Sequence, residues 1–181
     1  MKKACYPLRI ETERLVIEST VPEEVPTLME LENHPENRGY IWHNTAEEHL
    51  AELADPLVQT LSFKLKSDGR MIGYAINVLD YHSYRYELKR WAISEKGKGY
   101  GREALYAFMR YAFEELEVNK FWLEAYDDNK RGRALYESSG LHLDGVLREN
   151  YREERGLLGQ VQYSMLAGEY QALKEAGQFR L

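Results

Sequence analysis

Cysteine occurs once in the 181 residues, at Cys5, so no disulfide can form within the chain. No CxxC pair and no His/Cys spacing of a zinc site occurs, and no metal is expected. No stretch approaches the roughly 20 consecutive apolar residues that a membrane helix needs, so a membrane is not an expected partner. The opening "MKKACYPLRI" has basic residues with no apolar run behind them, which is not the pattern of a secretory signal. A reducing cytoplasm is the expected setting. Positive charge is in short supply: 24 Lys and Arg stand against 30 Asp and Glu, a net charge of −6. That argues against nucleic acid as a main partner and suits a cationic substrate. No internal repeat, low-complexity linker or shift in composition divides the chain. A single domain over residues 1–181 is expected, with 1–7 and 168–181 as peripheral tails.

What the sequence does contain is ordinary globular material, 44% hydrophobic and 30% charged, in a chain long enough to bury a core. "LRIETERLVIES" reads as a first strand with a polar interruption. "PEEVPTLMELENH" reads as a helix with Pro22 in its first turn. "TAEEHLAEL" opens on a capping box, Thr45 and Glu48, and reads as a second helix. "LSFKLK" and "MIGYAINVLD", joined by the turn "SDGR", form a hairpin. In "YRYELKRWAIS" the apolar phase changes: Tyr84, Tyr86 and Leu88 lie on even positions, Trp91 and Ile93 on odd ones. A β-bulge near Lys89–Arg90 would do this, and so would a strand buried on both faces. A helix follows, with Leu105, Phe108, Met109, Ala112, Phe113 and Leu116 in helical register. "KFWLEAYDD" reads as a strand. "NKRGRALYESSG" reads as a helix with Asn129 as N-cap and Gly140 just past its end. "LHLDGVLREN" and "LLGQVQYSML" close as a pair of strands, and "GEYQALKEAGQFRL" is weakly helical.

Between strand and helix stands "EKGKGYGREAL", with Gly97, Gly99 and Gly101 at alternate positions and Lys96 and Lys98 threaded among them. Glycines let the backbone approach a ligand closely, and a helix N-terminus offers unpaired N–H groups and partial positive charge. Together they make a phosphate cradle, with Lys96, Lys98 and Arg102 at its rim. Alone, the glycines would equally suit a flexible turn with solvated lysines. The G-x-x-x-x-G-K-[ST] loop is absent. A dinucleotide fingerprint is matched formally by Gly99, Gly101 and Ala104, with Glu124 near the ribose position. The strand before it, however, is alternating and charged, and too little chain follows to complete a doubly wound sheet.

The spacing of "KGKGYG" resembles the Q/R-x-x-G-x-G/A acyl-CoA loop of the GNAT superfamily of N-acyltransferases, with Lys96 where Gln or Arg is usual. "NKRGRALYESSGL" resembles the same family's Asn-x-x-x-x-x-x-Tyr followed by Gly-Phe, as Asn129, Tyr136, Gly140 and Leu141, with Leu replacing Phe. "ETERLVIES" and "GVLREN…QYSML" are similar to the branch that contains ribosomal-protein N-terminal acetyltransferases. The resemblance covers roughly residues 8 to 166. It implies an α/β GNAT fold: a mixed, largely antiparallel sheet of about six to seven strands, helices on both faces, and a central parallel pair splayed for acyl-CoA. It implies acetyl-CoA as co-substrate and a primary amine as acceptor, in a monomer or homodimer. The cofactor-binding residues it implies are Trp91, Ala92 and Ile93 for the pantetheine arm, Lys96, Gly97, Lys98, Gly99, Tyr100, Gly101 and Arg102 for the pyrophosphate, with Asn129 and Tyr136.

Acyl transfer to an amine needs a neutral nucleophile, hydrogen-bond donors at the carbonyl oxygen and a proton for the leaving thiolate. By resemblance Tyr136 is the leaving-group acid, against the alternative of a packed helix tyrosine. Asn129 reads first as a cap. Glu87 is the candidate base, since a carboxylate in a tyrosine-lined cleft has its pKa raised. The alternative is an exposed strand glutamate paired with Lys89 or Arg90. His82 is the reserve base, the Ile93 N–H is the oxyanion donor by resemblance, and Cys5 has no role. The acceptor side is expected from the first two helices and the loop before the glycine strand: Glu30, Glu32, Glu36, Trp42, Glu47, Glu48, Tyr81, Tyr84 and Tyr86. These suit a cationic amine, a peptide N-terminus by resemblance, or a polyamine or amino sugar by composition. A non-catalytic acyl-CoA binding module on the same fold is the reading from another class.

Overall fold

A computed structural model describes residues 1–153 and 155–179. They form one eight-stranded sheet in the order β1-β2-β3-β4-β5-β6-β8-β7. The strands are β1 (Arg9–Glu11), β2 (Leu15–Ser19), β3 (Val58–Leu65), β4 (Met71–Asp80), β5 (Arg85–Ile93), β6 (Lys120–Tyr126), β7 (His142–Glu153) and β8 (Gly156–Leu166). The helices are α1 (Val25–Asn33), α2 (Ala46–Ala54), α3 (Tyr100–Arg110), α4 (Lys130–Ser138) and α5 (Ala167–Glu175). All neighbouring strands pair antiparallel except β5 and β6.

The expectation of six to seven strands is corrected to eight. "LRIETERLVIES" is not one interrupted strand but the hairpin β1–β2. Its turn is fixed locally by Leu15 N–H donating to Thr12 Oγ1 at 2.9 Å. It is also fixed at long range, because Glu103 on α3 accepts from Thr12 Oγ1 at 2.6 Å and from the Arg14 N–H at 2.7 Å. The chain can reverse there because the polar turn finds its partners on a helix 89 residues away.

Two apolar layers cover the sheet. The larger joins Ile17, Phe63, Leu88 and Phe121 to Leu105, Phe108 and Met109 of α3. The smaller, on the opposite face, packs Leu28 and Leu31 of α1 on Tyr74, Ile76 and Ala92. Burial of side chains such as Phe108 stabilises by about 1.5–3 kcal/mol each, which is what holds α3 to the sheet. The helical register after the glycines continues past α3 as a π-helical turn, Tyr111–Glu115. The Thr45–Glu48 capping box forms as read.

The phase change in β5 is a bulge. Ile76 opposes Arg90 and Asn77 opposes Leu88, which leaves Lys89 unpaired in the ladder. Tyr86 and Leu88 therefore enter the larger core, Ala92 enters the smaller one, and Ile93 returns to the larger.

The segment 168–181, expected as a peripheral tail, is packed against the core in its described part. Tyr170 of α5 is buried and stacks on Phe113 at 4.7 Å, and Phe179 packs on Tyr106 and Tyr170. Arg180 and Leu181 lie outside the described residues. Residues 1–7 are also tied down, by Lys2 N–H to Leu116 O and Ala4 N–H to Tyr81 Oη.

Candidate active site

The parallel pair β5–β6 holds register only from Arg85–Glu87 against Lys120–Trp122, then parts. Beyond that point β5 still pairs with β4. Ser94 N–H donates to Ile72 O, so the antiparallel alternation makes Ala92–Tyr74 a bonded pair. The backbone groups of Trp91 and Ile93 consequently face the side from which β6 has withdrawn. A strand edge lies open there inside the sheet, and an extended ligand could pair with it.

A cavity of about 1380 Å³ opens from this gap. One end is the glycine loop. Gly97 and Gly99 have φ of 78° and 85°, and Gly99 is the N-cap of α3 with no side chain capping it. The first N–H groups of α3 are left for a ligand, with helix polarity favouring an anion. Lys96, Gly97, Gly99, Tyr100, Gly101 and Arg102 line the cavity, and Lys130 and Arg131 join them from α4. Lys98 does not: its ammonium is paired with Glu95 at 2.6 Å, and its carbonyl accepts from Arg14. Lys98 thus supplies backbone to the loop and no charge to the cavity. Asn129 caps α4, its Oδ1 accepting from Gly132 N–H at 2.9 Å. The cap reading holds.

Tyr136 lies at the junction. It is buried, and Trp91 Nε1 donates to its hydroxyl oxygen at 3.0 Å. Burial pushes the phenol up to about 12, with the Trp91 hydrogen bond opposing. The hydroxyl keeps its proton at neutral pH and has it free to donate.

Glu87 lines the same cavity. The ion pairs expected of an exposed strand glutamate do not form, because Lys89 approaches Glu52 at 4.0 Å and Arg90 reaches Glu32 at 3.4 Å. Burial raises the Glu87 carboxyl above its ordinary value; Lys89 and Arg85 oppose and Glu124 adds to the rise. Glu124 stands on the facing strand and accepts from Gln162 at 3.3 Å. His82 is exposed in the turn before β5 and is not part of the lining. Cys5 is exposed and free.

The acceptor end differs from the expectation. Glu36, Trp42 and Glu48 line it as read, but Glu30, Glu32, Glu47, Tyr81, Tyr84 and Tyr86 do not. Tyr86 falls on the core side of β5 and donates to Gln59 Oε1. Tyr84 sits in the turn with φ 56°, and Tyr81 serves the N-terminal segment. The aromatic wall comes from Tyr40, Trp42, Tyr126 and Tyr151, with Trp42 and Tyr151 edge to face at 5.9 Å. Tyr126 was readable: in "KFWLEAY", Phe121, Leu123 and Ala125 take the core, so Trp122, Glu124 and Tyr126 share the other face. Tyr151 carries no such local signal.

Behind this wall is a buried polar cluster. Glu32 accepts from Tyr74 at 2.6 Å, lies 3.2 Å from His49 Nε2, and pairs with Arg90. Arg90 also donates to Asn44 at 3.2 Å. His49 is raised to about 9: burial opposes, and Glu32 and then Glu52 outweigh it. The bulge at Lys89 is what turns Arg90 toward this cluster.

Residues 14–142 match the acetyltransferase (GNAT) domain family. The chain belongs to the GNAT acetyltransferase family. The GNAT fold is shared with a GCN5-related N-acetyltransferase from Brucella melitensis, with a TM-score of 0.81 and 18% identity over 98% of this chain and 86% of that one. A spermidine N-acetyltransferase SpeG variant from Vibrio cholerae gives 0.76 and 20% identity over 88% and 97% of the two chains. A curated relative is ribosomal N-acetyltransferase YdaF of Bacillus subtilis (strain 168), a provisional assignment in that protein's own name. It is 31% identical over 109 residues, which span 59% of this chain and 60% of that protein. The GNAT sheet, its splayed parallel pair and its helices on both faces are as the resemblance implied. No helix of the described residues is long and apolar enough to cross a membrane.

Proposed function

We propose that this chain, acting as one domain, transfers the acetyl group of acetyl-CoA directly to a primary amine. The observation that carries the reading is the open edge of β5 between the Gly97–Gly101 cradle and the Trp91–Tyr136 hydrogen bond. Acetyl-CoA would supply an activated thioester. The loop N–H groups, Lys96 and Arg102 would hold its phosphates, with Lys130 and Arg131 nearby. Trp91 and Ile93 would pair with its extended arm, and the Ile93 N–H would donate to the acetyl oxygen. Tyr136 Oη would give its proton toward the leaving sulfur. Glu87, with its raised pKa, would accept a proton from the attacking ammonium, directly or through one water.

For the acceptor we favour a peptide α-amine, by likeness to the ribosomal N-acetyltransferase relative. A polyamine is the second reading, favoured by Glu48, Glu52, Glu87 and Glu124 around one cavity. Released CoA thiol, followed with DTNB across a panel of amines, tests the activity. Acetyl-CoA binding without thiol release on any amine would make the chain a binding module.

A further inference from the structure

No residue of β1, β2 or the turn between them lines the cavity, yet that turn is bonded to the glycine loop. Arg14 makes the link. Its Nη1 donates to Lys98 O at 2.9 Å, and its guanidinium lies 4.5 Å over the ring of Tyr100, the first residue of α3. Its Nε and Nη2 both reach Glu103 Oε2 at 2.7 Å. Glu103 Oε1 in turn accepts from Thr12 Oγ1 and from the Arg14 N–H. The guanidinium is thus held flat against the start of α3, a task that suits a planar fork of donors. The loop's other ties, Lys96 to Asn37 and Lys98 to Glu95, are made by its own side chains. Among the described residues Arg14 is the one side chain that grips the backbone of the loop.

That grip decides the orientation of one peptide. Across a trans peptide the carbonyl and the N–H point to opposite sides. Lys98 O is turned to Arg14, off the cavity, so the Gly99 N–H is turned to the cavity that Gly99 lines. This N–H has no partner among the described residues. Gly99 does not fix the arrangement by itself. Glycine takes positive and negative φ about equally, so the Lys98–Gly99 peptide could turn over and present its carbonyl to an anion. We propose that Arg14 is a positioning residue for the cofactor: it holds this peptide with its N–H toward the anion. The β1–β2 hairpin then sets the geometry of a site that it does not line. This rests on the acyl-CoA reading above.

The test compares two thioester donors on one amine. Acetyl-CoA carries the pyrophosphate, and S-acetylpantetheine does not. Arg14→Met keeps a stem of similar length and loses the donors. Its kcat/KM for acetyl-CoA should fall on the order of 10-fold, the worth of one charge-assisted hydrogen bond. The fall should lie in KM, with kcat at saturation unchanged, and CoA itself should bind more weakly by the same factor. The kcat/KM for S-acetylpantetheine should stay at the native value. Arg14→Met also leaves Glu103 without its counter-charge near the cradle. Arg14→Met combined with Glu103→Gln removes that charge and should bind CoA as weakly as Arg14→Met alone; if the single variant does not fold, the pair carries the test. Native CoA affinity in Arg14→Met overturns the proposal. So does native affinity in the pair, which would make Arg14 a counter-charge only. An equal fall for both donors overturns it as well, since the damage would then not belong to the phosphate end. A native protein whose melting temperature CoA does not move overturns the acyl-CoA reading itself.

Discussion

At the scale of the residue, two side chains carry the chemistry in the proposed reaction, and their environments separate their tasks. Tyr136 is held by Trp91 with its oxygen as acceptor, so its proton is the part left for use. Replacing it with Phe keeps the ring, its contacts with Trp91 and Tyr163, and the shape of the cavity. The loss should fall on kcat, by on the order of 100- to 10,000-fold, with acetyl-CoA affinity changed little. A drop below about threefold would make Tyr136 a packing residue only. Glu87 has its pKa raised mainly by burial, so its ionised, proton-accepting form is lost at a higher pH than for a solvated carboxylate. In the native enzyme kcat/KM should fall as pH decreases through that raised pKa. Glu87→Gln should lower the rate and remove this acidic limb. A limb that persists unchanged in Glu87→Gln assigns it to another group.

At the scale of the element, the glycine loop and the bulge decide what β5 can do. Gly99 caps α3 at φ 85°, where a β-branched side chain is strained, and its Cβ would meet Arg14 Nη2 at 3.3 Å. Gly99→Val should abolish the melting shift that acetyl-CoA gives the native protein, which is about 2.7 kcal/mol at one hundred times the dissociation constant. An unchanged shift would remove the loop from the cofactor site. The bulge sends Arg90 to Glu32 and His49. Glu32→Gln leaves Arg90 and His49 without their buried counter-charge and should destabilise by about 3–5 kcal/mol in a urea titration. The His49 pKa is raised from 6.5 to about 9, so its contribution is complete below pH 6.5 and is lost as pH rises through about 9. The urea midpoint of the native protein should fall across that window, and the fall should be smaller in His49→Gln. Equal slopes in the two proteins would show that His49 is not charged in the fold. These elements also mark what could be read in advance. The loop, the α4 cap and the phase change at Lys89 are local patterns, and each was visible in sequence. The β1–β2 turn was not, because its partner Glu103 is distant. The aromatic wall was legible only in part: Trp42 was read and Tyr126 was readable, but Tyr151 comes from a late strand, and the phase of β5 turns Tyr86 into the core. Glu32 was read as an acceptor-site acid for the same reason: nothing local says that Arg90 and His49 will neutralise it.

At the scale of the whole molecule, the two ends of the cavity differ in charge. The cofactor end presents Lys96, Arg102, Lys130 and Arg131, its carboxylates Glu95 and Asp128 being paired with Arg70 and Lys98 and with Arg155. The acceptor end presents Glu48, Glu52, Glu87 and Glu124 among Tyr40, Trp42, Tyr126 and Tyr151, with Arg90 paired to Glu32 and Lys89 4.0 Å from Glu52. An anionic donor and a cationic acceptor are thus attracted to opposite ends, although the net charge of the chain is only −6. Aromatic faces add about 0.5–2 kcal/mol for each well-placed cation, and the carboxylates add attraction that salt screens. The KM for the acceptor should therefore rise with ionic strength. The choice of acceptor follows from how many charges the substrate brings. A peptide α-amine places one cation at Glu87 and leaves the rest of the chain to lie along the aromatic wall. Spermidine places several and would draw on all four carboxylates at once. Turnover compared on a short peptide with a free α-amine, the same peptide blocked at its N-terminus, and spermidine separates the two. The free peptide should be acetylated and the blocked one should not. Equal turnover of the blocked and free peptides, or spermidine far above both, would refute the peptide-amine reading. In the second case Glu48→Gln and Glu52→Gln should each raise the KM for spermidine more than that for the peptide, because only the polyamine reaches past Glu87 to meet them.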